Sequence, residues 1–402
     1  MSRLFLILFL NIIFIAKKVL LQRIIISSMA GIYFHIPFCK KACHYCNFHF
    51  STSLKYKNEM IESLLCELKL RKEYLNGEKI ETIYFGGGTP SLLDVSDIDR
   101  LLNGVYEHYS IDSISECTLE ANPDDISTDK IKSFNHVGID RLSIGIQSFY
   151  DEDLRYMNRA HNAHDALRCI QIAQDAGIEN ISADLIFGYP MLTHEKWHKN
   201  IETMMKLEIP HLSCYAMTIE PKTALASLIK KGNEKPVNHE QSAEQYEYLM
   251  YKLEEHGFEH YEISSFSKPC KHAIHNSNYW NGKQYIGIGP SAHSYNGISR
   301  QWNIANNMKY LHGVETKQLD FEQEILSREE KMNDQILTQL RTSNGISINT
   351  LKEQLFVDEW NLFDQKLTQL IETEMIQIES EHIKLTQKGK LFADWVASEL
   401  FL

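Results

Sequence analysis

The sequence predicts an α/β protein: a partial or full (β/α) barrel followed by a C-terminal, mainly helical, winged-helix-like domain. Three observations predict it. From residue 32, short β-like runs alternate with amphipathic helical patterns, the arrangement of a parallel sheet joined by helical crossovers. The runs end in glycines, carboxylates and amides, residue types that barrels gather at the C-terminal ends of their strands. After about residue 296 the alternation stops, and helical patterns with a small hairpin take over.

The strand candidates are 32–36, 82–85, 116–120, 141–146, 181–187 and 211–217. Between them, residues 59–74 put Ile61, Leu64, Leu65 and Leu68 on one helical face with charges opposite. Residues 164–176 and 241–256 read the same way. Lys230 to Pro236 is a polar surface loop rich in breakers. In the last part, 327–341, 348–355 and 360–372 have helical patterns. The runs 375–378 and 383–385 make a hairpin, and a final helix starts after the cap-like Thr386. The expected division is therefore an extension at 1–28, a barrel domain at 29–296 and a helical domain at 297–402.

A chain of 402 residues, 43% hydrophobic and 23% charged, has the balance of a globular protein with a large core. Its net charge of −12 leaves no cationic surplus to neutralise phosphates, which argues against nucleic-acid binding. The winged-helix-like module accordingly reads as a lid or a partner surface. Among the cysteines, Cys66, Cys117, Cys169, Cys214 and Cys270 have no ligand spacing among themselves. They read as small buried hydrophobes in a reducing, cytoplasmic compartment. Residues 4–16 form an apolar run too short for a bilayer span of about 20 residues. Met29 directly precedes the first core strand and reads as the natural start. The other reading of residues 1–28 is a membrane-surface or anchor segment.

Cys39, Cys43 and Cys46 stand at C-x3-C-x2-C spacing straight after the first strand candidate. Thiolates are soft ligands suited to zinc or iron–sulfur clusters. Structural zinc takes four closed ligands, and a cubane usually takes four cysteines. Here Asn47 and Phe48 follow the third cysteine. A [4Fe–4S] cluster held by three thiolates keeps one iron open to a small ligand. The plainer reading is a set of buried cysteines or a partial zinc knuckle.

The strand ends carry further candidates. Gly86-Gly87-Gly88-Thr89-Pro90 ends the second run, and its glycines let backbone N–H groups approach an anion. Glu120 ends the third run and offers a carboxylate to hydroxyls or an amine. Gln147 ends the fourth, Arg159 lies in the loop beyond it, and Asp184 lies in the fifth. Singly, each reads as well as a satisfied structural polar group. Their placement after successive strands is what points to a site.

These motifs together resemble the coproporphyrinogen-dehydrogenase-like branch of the radical S-adenosylmethionine (SAM) superfamily, including the aromatic Tyr45 before the last cysteine. The resemblance runs from Gly31 to the C-terminus. It implies a [4Fe–4S] cluster on Cys39, Cys43 and Cys46. It also implies SAM beside Tyr33, Tyr45, Gly87, Gly88, Thr89, Glu120, Gln147, Arg159 and Asp184, some of which match a second SAM site in the dehydrogenase. Two features favour the haem-chaperone members. Phe48 stands where the dehydrogenase has another cysteine, and His275-Asn-Ser-Asn-Tyr279-Trp280 matches their H-N-x-x-Y-W segment. Histidine and tyrosine are both known haem ligands, so the resemblance implies haem bound at His275, Tyr279 and Trp280. Outside the resemblance, the segment reads as a polar loop with an aromatic anchor. The partners implied are client haemoproteins and an electron donor for the cluster. The alternative is an oxygen-independent coproporphyrinogen III dehydrogenase, or another radical enzyme acting on a porphyrin.

Overall fold

The computed structural model describes residues 29–402, so the expected extension at 1–28 lies outside the described residues. All six strand candidates form strands. β1 (Met29–Ile36), β2 (Lys79–Gly87), β3 (Glu116–Ala121), β4 (Arg141–Gln147), β5 (Asn180–Phe187) and β6 (His211–Ala216) lie side by side in that order, each parallel to the next. Helices Lys57–Leu70, Val95–His108, Thr128–His136, Ala163–Asp175 and His194–Lys206 make the crossovers. Their apolar stripes form as the periodicity predicts: the first buries Met60, Ile61, Leu64 and Leu68 against the sheet. Each fully buried aliphatic side chain of this kind contributes about 1.5–3 kcal/mol.

The sheet is larger than the sequence suggested. β7 (Glu259–Glu262) and β8 (Ser265–Ser267) extend the β6 edge. The chain then returns to the opposite edge, where β9 (Tyr285–Ile288) lies parallel to β1, and β10 (His293–Tyr295), β11 (Ser299–Asn303) and β12 (Phe321–Ile325) follow antiparallel. The order is β12-β11-β10-β9-β1-β2-β3-β4-β5-β6-β8-β7. Among the described residues its end strands do not pair, so the barrel is a partial one. The sheet thus runs on to residue 325, past the expected boundary at 296/297.

Parallel strands are usually apolar on both faces. Here one face is apolar and the other polar. Ile32, Phe34, Ile83, Phe85, Leu119, Leu142, Ile144 and Leu185 join the core under the crossover helices. Thr82, Glu116, Thr118, Arg141, Ser143, Ser182 and His211 alternate with them and are buried all the same. Buried polar groups are costly unless partnered. The opposite face of this sheet is therefore covered, and helix Ile274–Trp280 covers part of it. Gly31 makes room for that helix: a Cβ there would lie 3.0 Å from His275 Cε1.

A second core gathers Ile336, Leu340, Phe363, Leu367, Ile383 and Val396. Around it stand helices Arg328–Leu340, Val357–Glu372 and Ala393–Glu399 and a small sheet of β13 (Ile346–Ser347), β15 (His382–Leu385) and β14 (Ile376–Glu379) in that order. Ser327 and Glu330 form a reciprocal capping box at the first helix. This is the winged-helix-like arrangement that the helical periods and the hairpin predict. The two units meet through Ile263 N–H donating to Arg341 O (3.0 Å) and Ser343 N–H to Tyr261 O (2.9 Å). Among the described residues no helix is long and apolar enough to cross a membrane.

Candidate functional site

Beyond β1 the chain turns at Pro37 into the loop that carries Cys39, Cys43 and Cys46, all half-buried. The loop is pinned by backbone bonds: Cys39 N–H to Ser51 O (3.0 Å), His44 N–H to Met157 O (3.1 Å) and Leu225 N–H to His44 O (2.8 Å). The glycine run packs against its root. Gly88 N–H donates to Ile36 O at 2.9 Å, and a Cβ on Gly88 would sit 2.6 Å from Phe38 O, so no larger residue fits. Two polar contacts reach the thiols. Thr89 Oγ1 lies 3.5 Å from Cys39 Sγ, and Arg159 Nη1 lies 3.3 Å from both Cys43 Sγ and Tyr45 OH. Burial pushes the Cys39 thiol up to about 11, against the Thr89 hydroxyl. Loading iron therefore requires displacing the proton from this thiol.

No three His, Cys, Asp or Glu side chains among the described residues are grouped to hold a single metal ion. A cubane asks for a wider spacing, because each thiolate binds a different corner iron. Three half-buried thiols on one pinned loop fit that demand. So does the guanidinium beside Cys43, since a bound cluster with three thiolates is anionic.

The residues expected around SAM occupy the polar face and the strand ends. Glu120 accepts from Tyr84 OH (2.8 Å) and from Gly87 N–H (3.2 Å). Burial, reinforced by the Asp184 charge, pushes its carboxyl up to about 7. Asp184 lies 3.4 Å from Ser143 Oγ; burial pushes it up to about 6. Tyr33 stacks on Tyr84 at 6.0 Å. Arg159 Nη2 donates to Asn122 Oδ1 (2.6 Å) and Gly145 O (2.9 Å). Gln147 is held at a left-handed φ of 65°. Its Oε1 and the Arg159 Nε are buried without a partner among the described residues. An orphaned acceptor, an orphaned donor and a carboxyl poised near neutrality form a site with unused capacity for a polar, cationic ligand such as SAM.

A cavity of about 860 Å³ opens beside the cluster loop. Phe48 and His49 of that loop, Tyr33 and His35 of β1, Tyr279 and Trp280, and Lys331 and Gln335 of helix Arg328–Leu340 line it. Phe48 is 67% exposed and turned to this space. The H-N-x-x-Y-W segment divides here. Tyr279 and Trp280 line the cavity, whereas His275 is 1% exposed and off its wall. Both His275 ring nitrogens are engaged, Nδ1 with Thr82 Oγ1 and Nε2 with Tyr279 OH, each at 2.8 Å. The backbone N–H groups of Ile274 and His275 donate to Glu116 (2.8 and 3.0 Å), which anchors the start of the helix. The ring thus links Thr82 of β2 to Tyr279 at the cavity wall.

Several residues of this region were not singled out by motif. Tyr84, Asn122 and Ser143 hold Glu120, Arg159 and Asp184 in place. The alternation Glu116-Cys-Thr-Leu-Glu120 carried a signal for the polar face. The cavity residues His293, Tyr295, Arg300 and Lys331 come from distant stretches, and no local spacing marks them.

A partial parallel barrel with a three-cysteine loop at the mouth of β1 defines a radical SAM protein, and residues 33–204 match the radical SAM superfamily. Residues 326–392 match the HemN C-terminal domain. Heme chaperone HemW of Bacillus subtilis is 34% identical over 371 residues, covering 92% of this chain and 98% of that protein. Heme chaperone HemW of Lactococcus lactis is 30% identical, covering 89% and 93%. The chain belongs to the HemW family. Among solved structures, coproporphyrinogen III oxidase (HemN) from Escherichia coli superposes with a TM-score of 0.81 over 93% of this chain and 90% of its own, at 21% identity. That likeness establishes the fold. Membership of the superfamily implies a [4Fe–4S] cluster and SAM as cofactors.

Proposed function

We propose that the protein is a haem chaperone, which binds haem in the cavity beside its cluster loop and passes it to client haemoproteins. The observation that carries this reading is the position of Phe48. It follows the third cysteine by two residues, yet its ring faces the cavity shared with Tyr279 and Trp280. An apolar ring there serves a flat aromatic cargo. The kinship with two proteins named heme chaperone HemW supports the same reading.

In this reading Cys39, Cys43 and Cys46 hold the cluster. Tyr33, Tyr45, Gly87, Gly88, Thr89, Glu120, Gln147, Arg159 and Asp184 frame SAM. A cluster held there and reduced by an electron-donor partner would supply the electron for any SAM cleavage. The chain's own part is to position and shield. Arg159 balances the charge of the thiolates through Cys43. Gly87 N–H and Tyr84 hold the Glu120 carboxylate toward the ligand. His275 orients Tyr279 at the cavity wall. A haemin titration of the anaerobically reconstituted full chain tests the proposal: a saturable complex with its own Soret band is expected, and no complex at micromolar protein would contradict it.

A further inference from the structure

We propose that His293, at the start of β10, supplies the iron ligand for haem seated in the cavity, with Lys331 facing a propionate. The assignment rests on the carrier reading above and deepens it.

A haem ligand must be on the wall, must have an uncommitted donor atom and must be held in a fixed orientation. The cavity is large enough, since ligand pockets run from about 300 to 1,000 Å³ and this one is about 860 Å³. His35 lines it, but its Nε2 is 2.8 Å from His49 O and its Nδ1 3.3 Å from Tyr33 OH. His49 has its Nε2 on Asn307 Oδ1 at 2.7 Å. His275 is sealed off the wall. His293 differs from all three. Part of its side chain reaches solvent, it lines the cavity, and neither ring nitrogen has a hydrogen-bond partner among the described residues. Its ring packs against Trp302, with centroids 6.0 Å apart and planes at 23°. Its backbone lies close to the neighbouring strand, because a Cβ on Gly287 would lie 2.2 Å from His293 O.

The surroundings favour a neutral imidazole over a phenolate. Partial burial and the Arg300 charge lower the His293 pKa, which keeps its lone pair available. Burial pushes the Tyr285 phenol up to about 12 and raises Tyr295 as well. A tyrosine ligand binds as the phenolate, so both are disfavoured. The charges on the wall also have an order. Arg300 is taken by Glu324 and Asp334, and Lys283 by Glu81 at 2.8 Å. Lys331 has no ion-pair partner among the described residues. It is therefore the cation left for a carboxylate cargo.

The test titrates the purified full chain with haemin and with metal-free protoporphyrin IX. Haemin affinity should fall about tenfold in His293→Ala as the axial ligand is lost, with a displaced Soret band that added imidazole returns to the wild-type position. Metal-free protoporphyrin should bind the variant as it binds the wild type, which also shows that the cavity is intact. Lys331→Glu should weaken both porphyrins and leave the Soret position alone. An unmoved Soret band in His293→Ala would overturn the assignment, as would equal loss of the metal-free porphyrin, which would make His293 a packing residue. A wild type that binds metal-free protoporphyrin but not haemin would also overturn it. A wild type that binds neither would overturn the carrier reading itself, and the assignment with it.

Discussion

The Nε2 of His275 lies 2.8 Å from the hydroxyl of Tyr279, one turn further along the same short helix. With Nδ1 equally close to Thr82 Oγ1, the imidazole is a buried link between β2 and the cavity wall. Replacing it with Ala leaves Thr82 and Tyr279 unpaired, which costs about 1–3 kcal/mol for a buried polar group. His275→Ala should therefore lower the denaturation midpoint and leave the Soret position of the haem complex unchanged. A displaced Soret band in a folded His275→Ala protein would return this histidine to the iron.

Glu120 makes a pH-dependent prediction. Its carboxyl is raised from 4.5 to about 7 by burial, so the folded state binds the proton more tightly than the unfolded one. Its stabilising contribution is present below about pH 4.5 and lost as pH rises through about 7. Glu120→Gln removes that loss. The ligand-free variant should gain on the wild type between pH 5 and pH 8 by roughly 1–3 kcal/mol, read by denaturant melts. The same substitution should weaken SAM binding, measured by calorimetry at pH 8. Parallel melting curves at both pH values would show that the carboxyl is not held where the fold places it.

The cluster loop predicts a sharp division among the cysteines. Anaerobic reconstitution should give about four irons per chain, and Ala at Cys39, Cys43 or Cys46 should abolish loading. Cys169 is buried in the core and Cys270 is exposed; Ala at either should leave iron content intact. A requirement for a fourth cysteine would contradict the open-iron arrangement.

Much of this was legible in the chain, and what was not has a physical reason. The six central strands could be read because each is a short local β-like run followed by its own turn. The cysteine loop could be read because its ligands are adjacent. β9 to β12 could not: they are three to five residues long, and β9 is defined by pairing Tyr285 with Gly31, a contact that no local pattern encodes. The cavity escaped for the same reason, since Tyr33, Phe48, Trp280, His293 and Lys331 meet only after the chain has crossed the sheet and returned. His275 and Tyr279 show a different limit. Spacing of i and i+4 marks two side chains on one helical face, but it does not say that they bond each other, as these two do.

Trp280 should act by packing alone. It lines the cavity with its ring 5.3 Å from the Arg341 guanidinium. Loss of so large an aromatic face typically costs on the order of 1–3 kcal/mol in binding. Trp280→Ala should therefore weaken haemin about tenfold or more while the Soret position stays that of the wild type. A changed ligand band would mean that the tryptophan holds the iron ligand in place.

The central claim, that this chain carries haem and does not decarboxylate a porphyrinogen, is tested most directly by a paired assay on one reconstituted preparation. One half measures haem bound per chain. The other follows coproporphyrinogen III with SAM and a reductant present. Haem bound in stoichiometric amount, with coproporphyrinogen III unconverted, is the predicted result. Conversion of coproporphyrinogen III by a protein that binds no haem would contradict it and make the chain an enzyme.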